Sequence, residues 1–473
     1  MSSPRPRTGW TLALVSAVLF MVTLDNLVVT TALPRLRIDL GASLSGLEWV
    51  VNAYTLTFAV LLMTGAALGD RFGRRRMLSI GLAVFTAGSA AAALSSSAAE
   101  LIVARAVQGA GGAMVLPLTL TLLSEAFPAG RRGMALGIWS GVSGLGVALG
   151  PVVGGAVVSG LSWHWIFWLN VPIGIVVAPL ALVRLTESHG PNRRLDLPGV
   201  VLASGGLFGV VYAVVRANAL GWTNATILGS AAAGALLLAG FAAWEVRAPA
   251  PMLPMRFFRS RAFSATNLVS LIMYFGMFGA IFLLAQYFQT AQGYSPLQAG
   301  IRTLPWTAMP IFIAPLAGLL SDRIGARPLM FLGLALQGSA LGWLASELSP
   351  ALSYGSMVLP FILAGAGMAM VFAPSANAVL GSVSDEEAGQ ASGATNAIRE
   401  IGGVLGIAVL AAVFNGAGSY ASAHTFVAGL TPAVTVGAIV VAIGAFAALA
   451  IPRIARPTSS AVQTRAEVAS SAA

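Results

Sequence analysis

Apolar residues along this chain come in blocks of about 19 to 27, divided by short polar, glycine-rich or proline-rich breaks, and the alternation repeats fourteen times. At 1.5 Å per residue each block is long enough, as a helix, to cross a hydrocarbon layer about 30 Å thick. The pattern predicts spans at 10–31, 49–69, 77–95, 101–124, 134–159, 165–183, 198–217, 225–246, 262–288, 299–320, 329–346, 357–380, 394–414 and 432–451. The break at 66–78 reads A-A-L-G-D-R-F-G-R-R-R-M-L, an acid, four arginines and a glycine turn between two such runs. Two membrane-length runs joined by a short basic loop form a hairpin whose loop is cytoplasmic.

The loop recurs as D-R-I-G-A-R-P at 322–328, and in each half its acid, Asp70 or Asp322, falls about 60 residues after the first span of that half begins. That spacing predicts a duplicated six-helix unit. The two acids are 252 residues apart, from 70 to 322, whereas six spans occupy only about 185 residues, and the apolar pair at 198–217 and 225–246 accounts for the excess. The expectation is an all-α polytopic membrane protein, two six-helix bundles in parallel pseudo-repeat plus two extra central helices. Its divisions are a tail at 1–9, a first bundle at 10–183, a linker carrying the extra pair at 184–261, a second bundle at 262–451, and a small polar tail at 452–473 expected to be disordered. The first run follows Arg5 and Arg7 as a signal peptide would, but it is too long for one and is read as a retained helix.

Composition agrees with that reading: the chain is 57% hydrophobic and 9% charged, where a soluble domain carries roughly 25% charged residues. The lack of cysteine excludes disulfides and thiolate metal sites, and the three histidines, His164, His189 and His424, are scattered without metal-ligand spacing, which argues against a histidine catalytic site. All 26 basic residues are arginine and the net charge is +10. A nucleic-acid partner would need a continuous basic face, whereas these arginines sit in short breaks between apolar runs, where they act as topology signals facing a lipid bilayer. Twenty fall on the side of the N-terminus, four on the other (Arg35, Arg37, Arg216 and Arg302), and Arg105 and Arg399 lie within spans. That asymmetry places both termini in the cytoplasm of a cell whose plasma membrane the chain crosses.

Charges inside spans are the candidate chemistry, because each costs at least about 2.5 kcal/mol to insert and is kept for a reason. Asp25 lies about 22 Å along the first span, in its outer half. It reads either as a structural hydrogen-bonding acid or as a group that binds and releases a proton or holds a cationic substrate. Arg105, in a span that descends from outside, reaches a similar depth and can pair with it. The run R-A-V-Q-G-A-G-G-A from Arg105 adds Gln108 a turn away, and its glycines suit close helix packing, since no strand precedes them to make a nucleotide fingerprint. In G-V-A-L-G-P-V-V-G-G, Gly146, Gly150, Gly154 and Gly155 allow a close helix contact and Pro151 permits a kink. The tryptophans of S-W-H-W-I-F-W at 162–168 read as interfacial anchors.

In the second half, Arg399 and Glu400 are neighbours that point apart, so each needs its own partner. Glu400 is either an interfacial charge or a second protonatable or substrate group, and Asp385, Glu386 and Glu387 read as a solvated charge run. Tyr274, Met277 and Phe278, with Gln108 and Met114 from the fourth span, could line an adaptable apolar pocket, although Met and aromatic residues more often make packing or lipid-facing surface.

Over essentially its whole length the chain resembles the fourteen-span drug:proton antiporter branch of the major facilitator superfamily. G-D-R-F-G-R-R-R matches the superfamily's signature between helices 2 and 3, with Ala66 in place of its leading glycine. The resemblance implies that Asp70, Arg71, Gly73 and Arg74, and through the repeat Asp322 and Arg323, latch a cytoplasmic gate. R-A-V-Q-G-A-G-G-A looks like the helix 4 motif linked to proton coupling, which carries that role to Arg105. G-V-A-L-G-P-V-V-G-G is similar to the antiporter motif of helix 5 and points to export, and W-H-W-I-F-W-L-N-V-P-I-G resembles the branch's helix 5 to 6 junction. L-D-N-L-V-V-T-T-A-L-P keeps Asp25, Ala32, Leu33 and Pro34 of the helix 1 motif, with Leu27 and Thr30 where Thr and Asn are usual; Glu400 stands where Gln is commoner.

The expected activity is proton-driven export of small hydrophobic or cationic compounds by alternating access, with Asp25, Arg105 and Glu400 as coupling groups and no cofactor beyond the proton gradient. A monomer suffices for that mechanism, and nothing in the sequence sets an oligomeric state. The rivals are a dedicated exporter of one endogenous metabolite or antibiotic, a solute:proton symporter and, in another class, a membrane-embedded enzyme or a receptor. An enzyme would need clustered nucleophiles, acids or metal ligands, and intramembrane polar residues are few and dispersed. A receptor would need a soluble sensing domain, for which no loop is long enough.

Overall fold

A computed structural model describes residues 8–190, 196–383 and 387–452. Among them fourteen helices are long and apolar enough to cross a membrane: α1 (Thr8–Asp39), α2 (Leu44–Phe72), α3 (Arg74–Ala93), α4 (Ala98–Ala126), α5 (Gly141–Gly160), α6 (Trp165–Arg184), α7 (Leu197–Ala217), α8 (Ala225–Glu245), α9 (Arg261–Thr290), α10 (Pro296–Ser321), α11 (Ala326–Glu347), α12 (Tyr354–Val379), α13 (Gln390–Ala417) and α14 (Ala423–Ala450). The tail residues 1–7 and 453–473, Arg193, Arg194, Asp385, Glu386 and the side chain of Asp322 lie outside the described residues.

Several helices run past the ends that hydropathy marks. Helix α1 continues through Pro34 to Asp39, so Arg35 and Arg37 are helical rather than in a loop. Helix α10 begins at Pro296 and carries Arg302 inside it, and α14 begins at Ala423 with Pro432 in its interior. The cause is capping. Ser295 with Gln298 and Ser422 with Thr425 form reciprocal capping boxes, which satisfy the first helical amides well before the apolar run starts.

The duplication is visible in the packing. In the first half α2 and α3 pack on α4, α1 on α5, and α3 on α6; in the second, α10 and α11 pack on α12, α9 on α13, and α11 on α14. The turn between the second and third helix of each half is made by a glycine with positive φ, Gly73 at 103° and Gly325 at 88°, a conformation that L side chains rarely tolerate. The halves meet along two seams, α5 against α10 and α2 against α13. The inserted hairpin α7–α8 packs through α7 over the second seam, where Val211 and Val215 close on Leu56 and Val60 of α2 and Val404 and Ala408 of α13.

The face bearing the 73–76 loop, here the basic face, opens into a cavity of about 590 Å³ between the halves. The opposite face is shut. Pro296 and Leu297 of α10 sit against Gly155 of α5, the Gln289 amide donates across to the Thr31 carbonyl at 2.9 Å, and the Leu297 amide donates to Ser159 at 3.0 Å.

Candidate functional site

Inside the first bundle, five helices bring polar side chains to one buried point. Asp25 of α1 and Arg105 of α4 pair at 2.6 Å with neither exposed. The carboxylate also accepts from the Gln108 amide at 2.8 Å and from Asn170 of α6 at 2.7 Å. Arg105 donates to Gln108 at 2.7 Å and to the Val50 carbonyl at 3.3 Å, and its guanidinium lies 4.2 Å from the Tyr54 ring centroid. Ser89 of α3 accepts from Gln108 at 2.9 Å. All three side-chain contacts of Asp25 are donors, the set that an ionised carboxylate takes.

The sequence places Asp25, Arg105 and Gln108 together by depth and spacing, and the structure does the same by contact. Asn170, Ser89 and Tyr54 complete the cluster and were not singled out by sequence reasoning. Their signal was present in Asn170, a polar residue inside an apolar run, which is by default functional in a membrane.

The helix 5 glycines position this cluster. Cβ atoms at Gly146, Gly150 and Gly154 would lie 3.0, 2.9 and 2.4 Å from Thr23, Leu27 and Thr31 of α1, so that face of α5 holds the helix that carries Asp25. Gly155 and Pro151 face the other way, onto α10: Gly155's missing Cβ would lie 2.3 Å from the Pro296 carbonyl, and Gly300's would lie 2.1 Å from the Pro151 carbonyl. One motif therefore supports the buried carboxylate and closes the seam on the face opposite the arginines.

In the second half Arg399 donates to Ser375 and, at 3.3 Å, to Asn396, and lies 4.7 Å from the Phe372 ring. Glu400 is turned elsewhere, with one carboxyl oxygen buried and unpartnered. Tyr54 of α2 stacks on Phe58 and lies under the Arg105 guanidinium, and its helix packs on α13 of the second half. Asn396 lines the cavity, so Arg399 is joined to its wall through the hydrogen bond between them.

The pocket expected from Met and aromatic residues lies elsewhere. Tyr274, Met277 and Phe278 are buried in the second bundle's core, where Tyr274 packs at a tilt on Phe278 and stacks on Phe372. Met114 packs against Gly81 of α3, and Gln108 belongs to the buried cluster. In this conformation the cavity is lined instead by Leu62, Met63, Leu116, Trp139 and Met252, and Asp25 is sealed from it. The reason is that α9 packs on α12, α13 and α14, which consumes its apolar faces. Trp163 corrects another expectation. It is 1% exposed and stacks on His164 at 3.7 Å, while Trp165 remains exposed as an interfacial anchor should.

At the basic face Asp70 accepts from Arg74 at 2.9 Å and 2.8 Å, and Arg74 also reaches Glu125. Arg71 is exposed and lies over Phe72, and Arg323 is exposed at the end of its helix. Glu387 is not simply solvated: it pairs with Arg256. Glu187, unremarked in the sequence, takes the backbone amides of Arg75 at 2.9 Å and Arg76 at 3.3 Å, capping α3 from the segment after α6. Glu187→Ala is expected to cost about 1 kcal/mol of stability, as loss of a helix cap does, read as a lowered melting temperature in detergent.

Two six-helix bundles around a cavity open to one face, with a buried ion pair beside it, are the architecture of a polytopic membrane transporter. The sequence model of the Major Facilitator Superfamily matches residues 15–407, and the chain belongs to that family. It is 38% identical over 86% of its length to the tetracenomycin C resistance and export protein of Streptomyces glaucescens, covering 76% of that protein. It is 37% identical over 84% of its length to the multidrug resistance protein Stp of Mycobacterium tuberculosis, covering 74% of it. A crystal structure of a bacterial homologue of the human lysosomal transporter Spinster, inward-facing and unoccupied, superposes with a TM-score of 0.68 at 17% identity, covering 95% of this chain and 98% of that one.

Proposed function

We propose that the chain exports small hydrophobic or cationic compounds across the plasma membrane in exchange for protons, with its basic face and both termini in the cytoplasm. The observation that carries this reading is the Asp25 carboxylate, fully buried among five helices and held by three donors beside an inter-bundle seam. In the basic-face-open conformation Arg105 holds Asp25 ionised. Opening of the α5–α10 seam admits water from outside, a proton binds the carboxylate, and its hold on Arg105 weakens. Return to the inward state releases the proton to the cytoplasm and restores the ion pair. The cavity, at about 590 Å³, falls in the range of sites that take drug-sized ligands. Relatives named for resistance to antibiotics and to multiple drugs support efflux over uptake.

Inverted vesicles test direction and coupling together. An imposed gradient, acid inside, is expected to drive substrate into vesicles carrying the protein; substrate driven outwards instead would establish a symporter. The likeness to an exporter named for one antibiotic favours a second reading, a dedicated exporter. A susceptibility panel in an efflux-deficient host separates the two, since protection against several unrelated compounds fits the first reading and against one alone the second.

A further inference from the structure

The inserted hairpin carries two carboxyls for which the transport cycle has no use. Asp196 caps α7 by accepting from the Gly199 amide at 2.9 Å, and it also accepts from the Trp244 indole at 2.7 Å and the Met252 amide at 3.4 Å. Glu245, the last residue of α8, is 3% exposed. One of its oxygens accepts from the Leu253 amide at 3.0 Å, and the other, Oε1, has no donor. That unpartnered oxygen is turned towards Asp196: a Cβ on Gly199 would lie 2.4 Å from Asp196 Oδ2 and 2.8 Å from Glu245 Oε1. Two ionised carboxylates are acceptors only and repel, whereas one proton between them makes a hydrogen bond. Asp196 and Met252 both line the cavity, so the pair adjoins the space that opens to the basic face.

We propose that Asp196 and Glu245 form a second proton-binding site, separate from Asp25, which holds the 250–253 segment against α2 while they share one proton and frees it when both ionise. Met252 is the point of attachment, its sulfur 3.8 Å from the Thr64 hydroxyl of α2. Among the described residues the charge that bears on Glu245 is that of Asp196. Arg247, in the turn after α8, is exposed and donates to the Ala243 carbonyl, Arg256 of the linker pairs with Glu387, and Asp70 at the end of α2 pairs with Arg74. Across the cavity α13 presents Gln390 and Asn396, which are uncharged. Arg193 and Arg194 precede the site outside the described residues.

The chain has no cysteine, so Ala250→Cys gives a single reporter on the segment and Val246→Cys, at a position 70% exposed, a reference. In lipid nanodiscs the ratio of their maleimide labelling rates is expected to rise several-fold between mildly acid and mildly alkaline pH. Glu245→Gln keeps a donor to Asp196 without a titrating proton, and should hold the ratio low and flat; Asp196→Asn provides an independent second variant. An acid-minus-alkaline infrared difference spectrum should show a protonated carboxyl band that Glu245→Gln removes and Asp25→Asn retains. A ratio that does not change with pH, one that still rises in both amide variants, or a band lost in Asp25→Asn and kept in Glu245→Gln overturns the proposal. The labelling outcomes are read at Asp196 and Glu245 alone, so they are distinguishable from failure of Asp25 as the coupling group, which the transport assay in vesicles reads.

Discussion

Replacing Asp25 and Arg105 together, as Asp25→Asn with Arg105→Gln, is expected to leave a folded protein that accumulates nothing against a gradient. A single charge moving with a potential of 100 mV is worth about 2.3 kcal/mol, enough for roughly a fifty-fold concentration ratio. The double variant should bring that ratio to unity while cargo still equilibrates downhill. The single variants are harder to interpret. Each strands one charge at a point with no exposure, and breaking a buried pair from one side costs about 3–5 kcal/mol, so lost activity would be confounded with lost stability. Removing both charges relieves most of that penalty, and melting temperature in detergent should recover towards the parent. Uphill accumulation by the double variant, measured in vesicles, would remove Asp25 from the mechanism.

Gly155→Val is expected to shift the protein away from the conformation described here. The added Cβ would lie 2.3 Å from the Pro296 carbonyl and 2.7 Å from the Leu297 Cα, both backbone atoms that cannot rotate aside. Overpacking of this kind costs about 1–3 kcal/mol, and it applies only while α5 and α10 are in contact, so the equilibrium between closed and open seam should move by about 5- to 150-fold. Thr31→Cys reports on it, because Thr31 is fully buried beneath Gln289 in the shut seam. A membrane-impermeant maleimide added at the face opposite the arginines should label this cysteine faster when Gly155→Val is present, and export should fall. Unchanged labelling would mean that the seam opens without separating these helices.

Glu187 shows where sequence reading stopped. Its partners are backbone amides 111 and 112 residues away, and no local pattern announces such a contact. Asn170 and Ser89 are similar, since a polar residue in an apolar run signals that it is needed without saying by what. The Met and aromatic residues of α9 show the converse: of the two readings their composition allowed, packing is the one they take in this conformation. Their composition suits a pocket, but α9 is enclosed by α12, α13 and α14, and the cavity formed from α2, α4, α13 and the 250–252 segment instead.

The sequence by itself determined the number of spans, the duplication and the depth at which Asp25 and Arg105 meet, because bilayer thickness and helix rise convert residue number directly into position along the membrane normal. It could not say how helices are arranged around that normal. Only the tertiary structure decided that the extra hairpin straps the α2–α13 seam, that one glycine motif serves two neighbours, and that the cavity opens among the arginines while Asp25 is sealed. Those depend on which faces of the helices meet, and apolar faces of nearly equal character carry almost no preference until a whole set of close approaches is satisfied at once.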